Sequence, residues 1–86
     1  MPRISEFFGI TIAMYYNDHG PPHFHAKYAE HEATVAIGTL ELVSGALPNR
    51  VLGLVLEWAA LHRLELRNNW EAARHGEPLE RIAGLK

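Results

Sequence analysis

Apolar and polar positions alternate along the first half of the chain and recur at helical spacing along the second. In residues 9–16, GITIAMYY, Ile10, Ile12, Met14 and Tyr16 share one face, while Thr11, Ala13 and Tyr15 share the other. That period of two, in β-branched and aromatic residues, predicts a strand. Residues 17–22, NDHGPP, are a turn by composition. Alternation resumes in HFHAKYA, residues 23–29, which places Phe24, Ala26 and Tyr28 on one face and His23, His25 and Lys27 on the other. Glu30 and His31 make a polar break. ATVAI, residues 33–37, predicts a third strand, and LELV, residues 40–43, a short fourth one after Gly38. SGALP, residues 44–48, closes the β half.

From Asn49 to His75 there is no proline, and Gly53 is the only glycine. Pro48 suits a first helical turn, Gly76 suits the position just past a helix end, and Pro78 forbids continuation. One helix over 49–75 would run about 40 Å, long for so small a sheet. A break near residues 62–64 would make two. Residues 77–86 are expected to be a loosely held strand or coil.

Sheet first and helices after predicts an α+β fold. The expected form is an antiparallel β-meander of three to four strands, followed by one long or two shorter helices packed on one face. The chain divides into a β half over 9–43, a helical half over 48–76 and a tail over 77–86, all in one domain 1–86. The expected core face of the sheet is Ile10, Ile12, Met14, Phe24, Ala26, Tyr28, Ala33, Val35 and Ile37.

Length supports a single thin core, since a chain of 86 residues buries only about 60–65% of its unfolded surface. The apolar fraction of 48% argues against disorder. Eight Lys and Arg against ten Asp and Glu leave a net charge of −2, without the basic excess of a nucleic-acid-binding domain. RNA is therefore a disfavoured partner unless a local patch serves it. The absence of cysteine excludes disulfides, thiolate metal sites and a cysteine nucleophile, and favours a reducing compartment. The start, MPRISEFFGI, lacks a long apolar run, and no segment approaches membrane-spanning length, so the expectation is a cytoplasmic protein.

The densest chemistry lies in residues 17–28, NDHGPPHFHAKY, where His19, His23 and His25 follow Asp18. Two positions apart on a strand, His23 and His25 share a face with backbones roughly 7 Å apart, a span one metal ion bridges. Asp18 and His19 enter from the turn. Imidazole and carboxylate suit a first-row divalent metal such as zinc, with Asp18, His19, His23 and His25 as the ligand set. The same His19, His23 and His25 suit general acid–base catalysis near neutral pH. The third reading is a polar strand surface behind a turn whose prolines are chosen for shape. Convergence of the three rings within about 4–5 Å of a shared point, with Asp18 or His62 nearby, separates the first two readings from the third.

Helical stepping puts Val51, Val55, Trp58, His62, Asn69 and Ala73 on one stripe, flanked by Leu54 and Leu66. His62 and Asn69 are polar there and need partners. Either they fix the helix on the sheet or they reach toward His23 and His25. Arg63, Arg67, Trp70 and Arg74 cluster on a second arc, suited to phosphate, RNA or an acidic partner. Glu71 pairs with the same arginines if the arc is only a solvated face. An exposed Trp70 would mark a contact surface, whereas a helix break before Leu64 turns it inward. No phosphate loop, nucleophile elbow, HExxH or dinucleotide glycine pattern is present.

Two long stretches carry a resemblance: PRISEFFGITIAMYYNDHGPPHFHAKY and LPNRVLGLVLEWAALHRLELRNNWEAARHGEPLERI. Their most specific parts are Asp18-His19, Pro21-Pro22-His23-Phe24-His25, and the run of Glu57, Trp58, His62, Glu65, Leu66, Asn69 and Trp70. Over nearly the whole chain the sequence resembles the bacterial family known as domain of unknown function 4160. The resemblance implies a small α+β cytoplasmic protein. It also implies a companion encoded beside it that resembles domain of unknown function 2442, in a toxin–antitoxin-like pair. Two functions follow as expectations. The first is a protein-interaction component of that two-protein module, with a regulatory role and the companion or a second copy as partner. The alternative is a small His-based or metal-assisted ribonuclease toxin, with Arg63, Arg67 and Arg74 steadying phosphates.

Overall fold

The computed structural model describes residues 2–86. Five strands come first: β1 (Arg3–Phe7), β2 (Ile10–Ala13), β3 (His23–Tyr28), β4 (His31–Ala36) and β5 (Leu42–Ala46). Two helices follow, α1 (Asn49–Leu61) and α2 (Arg63–Arg74). The sheet is an antiparallel meander in sequence order, β1-β2-β3-β4-β5. The α+β class is as expected, with five strands in place of three or four. The additional strand is β1, whose residues Ile4 and Ser5 are both buried because the register with β2 shifts between Arg3 and Ser5. That irregularity erases the alternation by which a strand is recognised.

The other strands keep their periodicity. In β3, Phe24 and Ala26 are fully buried while His23 and His25 are only partly so. Of the nine residues expected on the core face, all are buried except Tyr28, which packs against the core from its rim. β5 begins later than LELV predicts and includes Ser44, Gly45 and Ala46. Gly45 sits at φ +76° opposite Ala33, and a Cβ there would lie 2.1 Å from the Glu32 carbonyl oxygen. Only glycine permits that approach, and its turn-like appearance in the sequence hid the strand.

Of the two alternatives for the helical half, the two-helix form is the one present. His62, at φ −123° and ψ 27°, leaves helical geometry and separates α1 from α2. α1 lays Val51, Val55, Trp58 and Ala59 on the sheet, with the Trp58 ring 5.4 Å from Phe7 and 5.8 Å from Phe24. α2 buries Leu66, Asn69, Trp70 and Ala73. Its end is a Schellman closure: Gly76 at φ +68°, the Gly76 N–H donating to Ala73 and the Glu77 N–H to Ala72.

The tail carries no regular element, yet it is not loose. The Ile82 N–H donates to the Ile4 carbonyl at 2.7 Å, the Trp58 indole N–H to Ala83 at 2.8 Å, and Asn69 bonds both backbone groups of Glu80. Asn69 is thus a structural clamp. His62 is half-buried and its Nδ1 meets Glu65, so it pairs neither with Asn69 nor with the other histidines. No helix among the described residues is long and apolar enough to cross a membrane.

Candidate metal centre

The turn over residues 17–22 is built to present Asp18. Asn17 takes φ 58° and Gly20 φ 89°, reversing the chain after β2. Pro21 and Pro22 then set the approach to β3, and the Pro22 carbonyl accepts the Ile37 N–H at 2.9 Å, tying the turn to the end of β4. Asp18 Oδ1 accepts the N–H of His19 at 2.9 Å. The other carboxylate oxygen, Oδ2, faces two imidazoles: His23 Nε2 at 2.8 Å and His25 Nε2 at 3.3 Å. One ligand atom from each of Asp18, His23 and His25 lies within 4.8 Å of the others.

Neighbours fix both rings. His23 Nδ1 lies 2.8 Å from the Pro21 carbonyl oxygen, and its ring meets His25 at 5.2 Å and Trp70 at 5.0 Å between centroids. His25 has the Tyr15 ring edge-on at 4.5 Å, Thr34 Oγ1 at 3.4 Å from Nδ1, and a Glu32 carboxylate oxygen at 3.7 Å. Thr34 is directly across the ladder from His25, so β-register alone brings it there. The side chains of His23 and His25 retain only 13% and 17% of their exposure, against 26% for Asp18. This shielding from water strengthens whatever they hold.

The carboxyl of Asp18 responds to this setting. Burial works to raise its pKa, but the bond from His25, the His19 N–H, and the charge and bond of His23 together outweigh that and hold it below 3.8.

His23 contains the most informative constraint. A carbonyl oxygen only accepts, so Nδ1 must carry a proton. In a neutral ring, Nε2 then directs a lone pair at a carboxylate oxygen 2.8 Å away. Two lone pairs do not face each other at that distance, so either a proton, on the ring or the carboxyl, or a metal ion joins them. A backbone carbonyl on Nδ1 is also the usual support of an imidazole that binds metal through Nε2. Ligands about 2.0–2.2 Å from a tetrahedral zinc ion are themselves about 3.3–3.6 Å apart. The His25–Asp18 separation already fits that edge, and the His23–Asp18 separation must open by about half an ångström.

The structure brings together Asp18, His23 and His25 and leaves His19 out. The His19 ring is exposed, lining a cleft of about 350 Å³ beside the cluster together with Asp18, Trp70, Glu71 and Arg74. Of the arginine arc, Arg63, Arg67 and Arg74 are exposed, but Trp70 is buried at 4%. The turn at His62 rotates α2 so that the indole faces inward against His23, which dissolves the expected exposed aromatic surface. Arg74 pairs with Glu71 at 3.3 Å. Arg67 borders a second groove with Pro21, Pro22 and Glu41. Sequence reasoning missed Tyr15, Glu32 and Thr34, whereas Trp70 turns inward as expected for a helix break before Leu64. Glu32 and Thr34 share the polar face with His25 and follow from the β3–β4 register once it is known, whereas Tyr15 lies beyond the end of β2 and meets His25 by ring contact.

A family model, that of Domain of unknown function (DUF4160), matches residues 9–71. The matched stretch includes Asp18, His23, His25 and Trp70 and ends before Arg74. No curated protein and no solved structure matches the chain significantly.

Proposed function

This chain belongs to the DUF4160 family, and on that footing we propose that it is a divalent-metal protein whose Asp18–His23–His25 centre supports hydrolysis. The observation that supports this reading is the acceptor placed at each ring nitrogen of His23, with a shared Asp18 oxygen between His23 and His25. Two imidazoles and one carboxylate are the donor set of catalytic zinc sites, in which a fourth position holds water. Asp18, His23 and His25 would hold such an ion, which would supply a water acidic enough to act as a nucleophile at neutral pH. A purely His-based mechanism is less well served, because both Nε2 atoms are committed to the same carboxylate oxygen rather than directed at a substrate. On this reading a ribonuclease would take the metal-assisted form.

Titration of metal-free protein with zinc tests the proposal. Calorimetry should show one ion per chain, with binding strongly weakened in His23→Ala and His25→Ala and unchanged in His31→Ala. Equal affinity in all four proteins, or none in the unaltered chain, would overturn it.

A second reading, a partner-binding component of a two-protein module, draws on β5. This edge strand is exposed along its whole length, carries no charge, and presents Leu42 and Val43. Uncharged edges of this kind accept a further strand. Co-expression with the companion protein tests it: a stable complex lost in Val43→Lys supports a partner at β5, and a complex that survives places the contact elsewhere.

A further inference from the structure

We infer that the cleft beside the metal centre binds the phosphate group of a phosphate-ester substrate, with Arg74 as its second anchor; this rests on the metal reading above. The cleft is bounded by Asp18 on one side and by Trp70, Glu71 and Arg74 on the other. The buried Trp70 ring, packed on His23, joins α2 to the centre and sets Arg74, one helical turn further on, at the cleft's outer wall. A divalent ion changes the local charge decisively. Asp18 offsets half of it, Glu71 is matched by Arg74 at 3.3 Å, and the cleft keeps a net positive charge. An anion is the ligand that such a cleft selects.

Phosphate fits better than carboxylate because it carries more oxygens: one would face the ion beside its water while two others accept from the planar guanidinium fork of Arg74. The Arg74–Glu71 pair is exposed on both sides, 57% and 59%, so it costs little to exchange for a phosphate oxygen. Arg67 has no ion-pair partner among the described residues. It borders the groove on the far side of Pro21 and Pro22, where a second phosphate of a diester chain would arrive.

Inorganic phosphate is the probe, titrated into zinc-loaded and metal-free protein and followed by calorimetry and phosphorus NMR. Zinc-loaded protein should bind phosphate and metal-free protein should not. Arg74→Ala should weaken phosphate by about tenfold or more while leaving zinc affinity unchanged. Glu71→Gln, which frees the guanidinium and removes a negative charge, should tighten it. That gain is one that a merely structural Arg74 would not produce. A short RNA against a phosphomonoester in the same assay distinguishes diester from monoester. An additional loss in Arg67→Ala confined to RNA assigns the diester. Zinc binding without phosphate binding, or phosphate affinity indifferent to Arg74, overturns this inference and leaves the metal centre standing. Failure of zinc to bind overturns both.

Discussion

Replacing His23 with alanine removes one metal ligand while leaving the strand it sits on intact, and its consequences are calculable. Structural zinc sites with four ligands gain about 10–16 kcal/mol, hence about 3 kcal/mol per ligand and about 100-fold in dissociation constant. In the metal-free protein the substitution loses the contacts to Pro21 and Asp18, each at 2.8 Å. Because the ring is mostly buried, that loss costs about 1–3 kcal/mol. Zinc present at about a hundred times the dissociation constant of the unaltered protein stabilises it by about 2.7 kcal/mol. At the same concentration the variant is only half-saturated and gains about 0.4 kcal/mol. For a domain of this size the Tm should rise with zinc by about 10–20 °C in the unaltered protein and by about 2–3 °C in His23→Ala. Differential scanning fluorimetry measures both shifts, and His31→Ala, at a partly exposed histidine that pairs with its neighbour Glu30, should behave as the unaltered chain. Equal zinc shifts in His23→Ala and the unaltered protein would refute the reasoning.

Further expectations follow from the same geometry. In metal-free protein the depressed pKa of Asp18 contributes stability that is present above 3.8 and is lost as pH falls through the lower folded value. Asp18→Asn should therefore flatten the acid limb of urea midpoint against pH, and an unchanged limb would contradict the assignment. Asn69→Ala removes both bonds to the Glu80 backbone and should cost about 2–3 kcal/mol by urea denaturation, with faster amide exchange at Ile82. Gly45→Ala meets the Glu32 carbonyl at an impossible distance and a positive φ, so it should lose at least about 2 kcal/mol and deprotect the β5 amides, whereas a neutral outcome would mean that β5 is free to shift.

What could be read in advance followed the strength of local patterning. β3 was legible to its first residue because Phe24 and Ala26 alternate cleanly with His23 and His25. The helix break at His62 was legible only as one of two alternatives, since the length of 49–75 suggested a break but nothing in its composition required one. β1 was not, because its bulge buries Ile4 and Ser5 together. β5 was displaced because Gly45 reads as a turn residue when its real constraint is the approach of Glu32 across the ladder. The same division holds in the centre. Spacing foretold that His23 and His25 share a face, and the turn composition foretold that Asp18 folds back. Nothing local separated His19 from its neighbour Asp18, and the inward Trp70 followed only once the helix broke at His62. The tail was misjudged for a related reason: its anchors, Ile4, Trp58 and Asn69, are distant in sequence.

Nitrogen-15 NMR of the imidazole rings, recorded with and without zinc, tests the central claim most directly. The account predicts that zinc shifts the Nε2 resonances of His23 and His25 to metal-bound values while His23 Nδ1 keeps its proton toward the Pro21 carbonyl, and that His19, His31, His62 and His75 do not change. A His23 Nε2 that stays protonated in the presence of zinc, or a zinc response distributed over the other four histidines, would contradict it.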